Sequence, residues 1–345
     1  MMSKEKVAVA MSGGVDSSVA AYLLKKAGYE VSGIHLRMEK DVPDDPELYK
    51  CCEQLGIELT EVDCADNFYR NVLYASACEY ACGRTPNPCC VCNMTVKFAE
   101  LFRAADKLGI EKVFTGHYVR LLEKDGLFLL SKGADAGKDQ SYFLYRLTQK
   151  ELRRTGFPLG DLSKDEVRKI AAEAQLSCAV RKDSQDACFQ ISGECCGETL
   201  RRRCDLPEKR GKFIYQGKTV GYHNGIHRYT LGQRQGLNVA LGKPAYIKSI
   251  EPQNGNIILV TDQDELLASE FTVKNVSWQS GRCPGKKLTV KVRYRSPGTS
   301  CEIRELSGDS ISVVPENMLR AVTPGQAAVF YDGDLLVGGG EIDYV

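Results

Sequence analysis

KVAVAMSGGVDSSVAAYLLKKAG, residues 6–28, is the stretch on which the fold turns. Its first six residues, apolar after Lys6, read as a short buried strand. VAAYLLKKAG then carries helical periodicity up to Gly28, a C-cap residue. Between them lies SGGVDSS (12–18), and YEVSGIHLRM (29–38) follows as a second strand. Strand, loop, helix and strand in that order open a parallel α/β sheet. A Gly-Gly pair flanked by hydroxyls at a helix N-terminus is built to hold phosphate. The backbone N–H groups point outward, the helix dipole favours an anion, and the missing side chains permit close approach. The loop lacks the spacing and lysine of a Walker A motif, and it is not G-x-G-x-x-G. A tight turn with no ligand is the plain alternative. Ser12, Asp16, Ser17 and Ser18 within seven residues argue against it.

Outward from this unit the pattern continues. LYKCCEQLGIELTEVDC (48–64) repeats helix, glycine turn and strand. VKFAELFRAADKLGI (96–110) is an amphipathic helix leading into KVFTGHYVR (112–120), read as one strand. Gly116 and His117 fall just past its apolar core, at the end where ligands bind in open α/β sheets. GKDQSYFLYRL (137–147) reads as a surface loop bearing Lys138, Asp139 and Gln140, running into a helix whose Tyr142, Phe143 and Tyr145 are core. SKDE (163–166) is a capping box and reads as scaffold.

With 345 residues the chain is expected to form two or three domains, and 43% hydrophobic with 26% charged residues is ordinary for a globular protein. No run approaches 18 apolar residues, which argues against a membrane span. The apolar run before Gly13 is too short for a signal peptide. A net charge of +1 does not advertise nucleic-acid binding, so any basic surface must be local. Fifteen cysteines without a secretion signal imply reduced thiols in a cytoplasmic protein. Cys51, Cys52, Cys64, Cys78, Cys82 and Cys178 read as small core hydrophobes.

Two cysteine segments stand apart. TPNPCCVCN (85–93) puts Cys89, Cys90 and Cys92 behind a proline-rich turn, as metal ligands, disulfide partners or a sulfur-handling site. In VRKDSQDACFQISG (180–193), Cys188 lies near Arg181 and Lys182, whose charges would favour a thiolate.

SGGVDSS, EYACGRTPNPCCVCNMTVKF, FTGHYVR, KDQSYFLY and RKDSQDACF, in this order, resemble the bacterial tRNA-specific 2-thiouridylases of the ATP pyrophosphatase superfamily. The likeness runs on through GIHRYTLGQRQGL (225–237), VKVRYRSP (290–297) and GQAAVFY (325–331), and so covers essentially the whole chain. The resemblance implies an adenine nucleotide alpha hydrolase-like, doubly wound sheet that uses ATP and Mg2+ to adenylate O2 of the wobble uridine (position 34) of glutamate-, glutamine- and lysine-type tRNA. Sulfur from a persulfide donor protein then replaces that oxygen. It implies no role for DNA or membrane. It puts Cys92 in the nucleophile position and Cys188 in the persulfide position. Ala10, Met11, Ser12, Gly13, Gly14, Val15, Asp16, Ser17, Leu36 and Gly116 match the ATP site. Asn87, Pro88 and Cys89 match the segment that touches the target base. His117, Lys138, Asp139, Gln140, Arg293, Tyr294 and Gln326 match tRNA contacts.

One departure stands out. Many relatives carry aspartate where this chain has Cys89, so an acid–base role does not transfer. Cys89 and Cys92 form a C-x-x-C pair, and with Cys188 they could instead hold a 4Fe–4S cluster with one open iron. Cys90 reads as filler, and Cys195 and Cys196 have no assigned role. Rival readings are another adenylating enzyme sharing the loop, of amidotransferase or argininosuccinate synthase type, and a non-enzymatic RNA-binding module.

The expected organisation is a catalytic domain over 1–192, a small central tRNA-contacting domain over 193–264 and a tRNA-binding β-barrel over 265–345. ETLRRRCDLPEKRGKF supplies Arg201, Arg202, Arg203, Lys209, Arg210 and Lys212, a solvated face or phosphate contacts. AYIKSIEPQNGNIILVTD is a hairpin around Asn254-Gly255. KLTVKVRYRSP alternates, with Leu288, Val290, Val292 and Tyr294 on one face and Lys291, Arg293 and Arg295 on a basic outer face.

Overall fold

The computed structural model describes residues 4–40, 42–182, 187–306 and 308–344, for Tyr344 the backbone only. The central strand β1 (Lys6–Ala10) pairs in parallel with β2 (Glu30–Arg37). Next in the chain come β3 (Leu59–Asp63), β4 (Lys112–Phe114) and, later, the two-residue β7 (Thr155–Gly156), which give the parallel order β3-β2-β1-β4-β7. Alternation along β1 serves two cores. Val7 and Val9 pack toward α1 (Val15–Lys26), α2 (Pro46–Leu55) and α8 (Lys164–Glu173). Ala8 packs with Ile34 and Val113 toward Leu101, Ala104 and Ala105 of α6 (Phe98–Lys107). A strand covered on both faces must be apolar along its covered length, as VAVAM after the exposed Lys6 is.

Between β3 and β4 the chain is largely helical. α3 (Ala65–Phe68) passes through a π-helical turn (Tyr69–Tyr74) into α4 (Ala75–Ala81). After the proline turn, α5 (Pro88–Cys92) continues through a second π-helical turn (Asn93–Lys97) into α6. The helix expected from Val96 therefore begins eight residues earlier, at Pro88, whose fixed φ suits a first helical position.

KVFTGHYVR is not one strand. β4 stops at Phe114, and Val119 begins β5 (Val119–Lys124), the first arm of an antiparallel hairpin with β6 (Leu127–Lys132). That hairpin leaves the parallel sheet and joins the barrel. Tyr142, inside a 3-10 turn (Ser141–Leu144), and Tyr145, just past it and before α7 (Gln149–Arg154), are buried as expected. Phe143 is only half-buried.

The middle of the chain holds α9 (Cys196–Arg203) and a four-stranded sheet, built from β8 (Gly211–Tyr215), β9 (Lys218–His223), β10 (Tyr246–Glu251) and β11 (Asn256–Val260). The β10–β11 hairpin turns at Asn254-Gly255, with Gly255 at φ +76°. A two-residue ladder of β12 (Leu267–Ala268) with β17 (Leu319–Arg320) precedes the closing sheet in space. That sheet consists of β13 (Phe271–Trp278), β14 (Lys287–Lys291), β15 (Thr299–Glu305), β16 (Ile311–Pro315), β18 (Ala327–Asp332) and β19 (Leu335–Tyr344). Its order β13-β16-β15-β14-β18-β19 closes through β13–β19, making a six-stranded antiparallel barrel.

In KLTVKVRYRSP the strand ends at Lys291, while the alternation of burial carries on through buried Val292 and half-buried Tyr294 with Arg293 and Arg295 exposed. Arg293 to Ser296 form a turn, with Ser296 N–H on the Arg293 carbonyl at 3.1 Å. Lys291 lies over the Tyr294 ring at 6.0 Å, so the expected clean basic face is interrupted there. β6 meets β19 at Ser131 and Leu335, and Lys132 N–H donates to Asp334 O at 3.0 Å. One apolar core consequently spans the hairpin, the cysteine segment and the barrel, joining Val119, Leu130, Cys90 and Tyr142 to Val329, Tyr331 and Leu336. Among the described residues, no helix is long and apolar enough to cross a membrane.

Candidate active site

The C-terminal ends of β1 and β4 flank the point where strand order reverses, and the two loops that leave them form one wall of a cavity of about 490 Å³. SGGVDSS is shaped mostly by its own atoms. Ser17 Oγ accepts from Ser12 N–H at 3.2 Å and donates to Gly14 O at 3.1 Å, and Gly13 sits at φ +73°. Gly14 caps α1 with no side-chain bond to the first-turn N–H groups, which leaves those donors for an anion. Gly116 lets the loop after β4 lie against this turn, because a Cβ there would come within 2.9–3.0 Å of backbone atoms of Asp16 and Ser17. Asp16 is clamped. Lys164 Nζ donates to its two carboxylate oxygens at 2.7 and 2.9 Å, and Tyr118 Oη donates to one of them at 2.6 Å.

Of the ten residues expected around ATP, Ala10, Met11, Ser12, Asp16, Ser17, Leu36 and Gly116 line this cavity. Gly13, Gly14 and Val15 do not, and Val15 is buried in the core beneath. Uncapped helix donors next to an apolar wall of Ile34 and Leu36 suit the phosphates and base of a nucleotide. The donor set suits Mg2+ poorly, since Lys164 already engages both oxygens of Asp16.

At the cavity's other end are Pro88, Cys89, Cys92 and Cys188, with His117, Gln140, Phe143 and Lys97. Asn87 instead starts α5, its Oδ1 accepting from Cys90 N–H at 3.3 Å. Cys90 is buried in the shared core, with its thiol toward the Tyr142 carbonyl at 3.9 Å. Cys92 is buried, whereas Cys89 and Cys188 reach solvent. Loss of water pushes all three thiols above their ordinary range, Cys188 to about 11, and in each case the Lys97 ammonium opposes that push. Burial, then Lys97, hold the His117 imidazole down to about 3, so it is neutral, with Nδ1 at 2.7 Å from Thr115 Oγ1. Among the described residues no three His, Cys, Asp or Glu side chains form a group able to hold a metal ion. The cysteines as arranged do not make an iron–sulfur cage.

The cation near Cys188 is not the one expected from the sequence. Arg181 pairs with Asp45 and donates to Gly13 O at 3.1 Å, so it braces the nucleotide loop. Residues 183–186 of the RKDSQDACF motif lie outside the described residues. The segment after them is held by α9, with Arg203 donating to Phe189 O at 3.0 Å. The basic run is not a row of open phosphate ligands within α9, although Arg202 there and Lys209, Arg210 and Lys212 beyond it are solvent-exposed. Arg201, Arg202 and Arg203 pair with Glu198, Glu194 and Glu39.

Several matched tRNA residues serve the framework. Asp139 is buried and accepts from Gly133 N–H and Ser141 N–H, each at 3.1 Å. Gln140 Oε1 accepts from Tyr118 N–H at 3.0 Å while its side chain lines the cavity. Lys138 lies outside the cavity wall, on the same loop. Arg293 donates to Ala321 O at 2.8 Å and Thr323 Oγ1 at 2.9 Å, and the Tyr294 ring packs against Phe143 at a tilt of 43° with centroids 4.5 Å apart. Gln326 Nε2 donates to the carbonyls of Thr85 at 2.8 Å and Pro86 at 3.2 Å, so the barrel grips the turn that presents the cysteines. Cys82, expected in the core, is exposed.

Lys97 and Lys164 had gone unremarked in the sequence. Lys164 sits inside the capping box that was read as scaffold, and the box is present, Ser163 with Glu166. Lys97 follows Cys92 by five residues, which in an α-helix puts it about 140° around from the thiol. Only the π-helical turn brings the two together, and no sequence pattern announces such a turn.

Three family models match the chain: a tRNA methyl transferase HUP domain over residues 5–192, a tRNA methyl transferase PRC-barrel domain over 202–262, and an aminomethyltransferase beta-barrel domain over 268–342. The chain is similar to tRNA-specific 2-thiouridylase MnmA 2 of Clostridium botulinum strain Hall, 40% identical over 354 residues and covering 100% of each chain. It is 38% identical to tRNA-specific 2-thiouridylase MnmA of Clostridium acetobutylicum, covering 98% of this chain and 99% of the other. It is 40% identical to the protein of that name from Syntrophotalea carbinolica, covering 99% and 100%.

Proposed function

The chain belongs to the family of tRNA-specific 2-thiouridylases, and from that premise we propose how its residues convert a tRNA uridine to 2-thiouridine. The observation that carries the reading is the single cavity joining the uncapped N-terminus of α1 to Cys89, Cys92 and Cys188. Donors at one end suit ATP phosphates, and thiols at the other suit sulfur transfer. A non-enzymatic RNA-binding module needs neither.

The chemistry follows from making a poor leaving group good. O2 of the wobble uridine, at position 34, attacks the α-phosphorus of ATP, an O–P bond forms, and pyrophosphate leaves. The terminal sulfur of a Cys188 persulfide then attacks C2. The C2–S bond forms and the C2–O bond breaks, with AMP taking the electron pair. The Cys92 thiolate next attacks Sγ of Cys188. A Cys92–Cys188 disulfide forms, and the bond to the carried sulfur breaks with its electrons left on the sulfur at C2. A dithiol reductant returns the pair to thiols, and a persulfide donor protein reloads Cys188. Metal that accompanies ATP would rely on phosphate and water oxygens, because Asp16 is held by Lys164. No step runs through an iron–sulfur cluster.

Cys89, Pro88 and Gln140 line the space a uracil would enter, and Phe143 with Tyr294 offers a stacking surface for an unstacked loop base. We assign residues 1–192 to catalysis and 193–264 with 265–345 to holding cytoplasmic tRNA of the glutamate, glutamine and lysine types.

The test uses unmodified tRNA, ATP and a sulfide or persulfide donor, with digestion to nucleosides. 2-Thiouridine and one pyrophosphate per thiolation are expected. Pyrophosphate exchange with a small acid and no thiouridine would instead assign the chain to amidotransferase- or synthase-type adenylation. Stoichiometric iron and sulfide after anoxic purification would replace the relay with the cluster.

A further inference from the structure

Among the described residues that line the cavity, Lys97 is the single lysine or arginine. It is half-buried, and among the described residues it makes no ion pair, unlike the other cations near the site. Lys164 is tied to Asp16, Arg181 to Asp45 and Arg203 to Glu39. Holding an ammonium away from bulk water without a counter-ion is costly, and that cost is offset when an anion enters beside it. The π-helical turn Asn93–Lys97 follows Cys92 directly and brings Lys97 round to the chamber that Cys89, Cys92 and Cys188 share.

We propose that Lys97 is a positioning residue whose ammonium makes this end of the cavity an anion-receiving chamber, holding anionic sulfur between Cys188 and Cys92. This rests on the sulfur-relay reading above. Among the described residues, the remaining charged and titratable groups around the chamber are His117 and His35 on its walls, the Glu39–Arg203 pair behind Cys188, and the Asp16–Lys164 pair at the nucleotide end. Both ion pairs are internally neutralised, so among the described groups Lys97 sets the local sign. Its field acts on all three thiols and on His117, where it adds to the burial that keeps the imidazole neutral.

The experiment compares alkylation of individual cysteines by iodoacetate, an anion, and iodoacetamide, its neutral analogue, resolved by peptide mass spectrometry. The ratio of the two rates cancels the thiolate fraction and reports the local field. In Lys97→Met the ratio at Cys92 and Cys188 is expected to fall about threefold or more, while Lys97→Arg keeps it and exposed Cys82 is unchanged. The unaltered enzyme gives a check that needs no variant: its ratio at Cys188 should exceed that at Cys82 and decline with salt. An unchanged ratio at both chamber cysteines in a folded Lys97→Met protein overturns the assignment. So does a variant whose only defect is weaker ATP binding. An enzyme that yields no 2-thiouridine yet keeps the Lys97-dependent ratio would support the assignment while removing the relay it was meant to serve.

Discussion

The nucleotide loop and the cysteine segment occupy opposite ends of one cavity and are held in opposite ways. SGGVDSS takes its shape largely from bonds within itself, Ser12 to Ser17 and Ser17 to Gly14, with Lys164 and Arg181 bracing it from outside. TPNPCCVCN is shaped by distant residues. Thr85 N–H donates to Pro324 O at 2.9 Å, Thr85 Oγ1 to Thr230 Oγ1 at 3.1 Å, and Gln326 takes up the next two carbonyls. Just before it, Arg84 reaches Glu341 at 2.5 Å and Asp343 at 3.0 Å on β19. Phosphate binding can thus travel as a short motif, because its donors are backbone groups of one turn. The thiol end instead gathers side chains from three parts of the chain at one place, Cys89 and Cys92, His117 and Gln140, and Cys188.

If the two ends are independent in chemistry, each can be lost alone. Cys92→Ala and Cys188→Ala are expected to lower 2-thiouridine formation by about a thousandfold or more, as for loss of a nucleophile. tRNA-dependent pyrophosphate release should stay within about threefold, and a parallel loss of both would break the comparison. Gly116→Val acts where the ends share a wall. Its added atoms meet the backbone of Asp16 and Ser17, so AMP formation and thiolation should fall together, by roughly tenfold to a hundredfold on the usual cost of overpacking.

Gln326→Leu sharpens the contrast from the other side. It removes two hydrogen bonds worth roughly 1 kcal/mol each, so single-turnover thiolation should drop by about fivefold to tenfold with ATP affinity unchanged. The smallest effect concerns the joint between α9 and the central sheet, where His227 Nε2 lies 2.6 Å from Glu198. Burial alone would raise Glu198, but Arg201, His227 and Arg228 outweigh it and hold the carboxylate down to about 2. Burial lowers His227 as well. Both groups bind fewer protons folded than unfolded, so their contribution is present at neutral pH. It is lost as pH falls, first through the ordinary histidine range near 6.5 and then from about 4.5 toward about 2. Melting temperatures of Glu198→Gln across pH 3–7 should show a shallower acid slope than the parent.

What could be read in the sequence follows the same division. The strand–loop–helix unit, the Asn254-Gly255 hairpin and the alternation of Leu288 and Val290 are local periodicities, and they appear as expected. KVFTGHYVR was misread as one strand because Val119 has a strand's apolar pattern but pairs in another sheet, a fact set by tertiary contacts. Arg201, Arg202 and Arg203 looked like phosphate ligands because their partners lie at 198, 194 and 39, and one of these is far away in the chain. Lys97 was invisible because its role depends on one extra residue in a helical turn.

β19 follows every other element in the chain, yet it closes the barrel onto β13, receives the β5–β6 hairpin and anchors Arg84 beside the cysteine turn. During synthesis from the N-terminus, the parallel sheet and its phosphate turn can therefore assemble while later segments are still being made. The thiol end is finished only when the last strand arrives. A chain lacking β19 would keep the internal bonds of the phosphate turn but leave Arg84, just before the cysteine turn, without its Glu341 and Asp343 anchors.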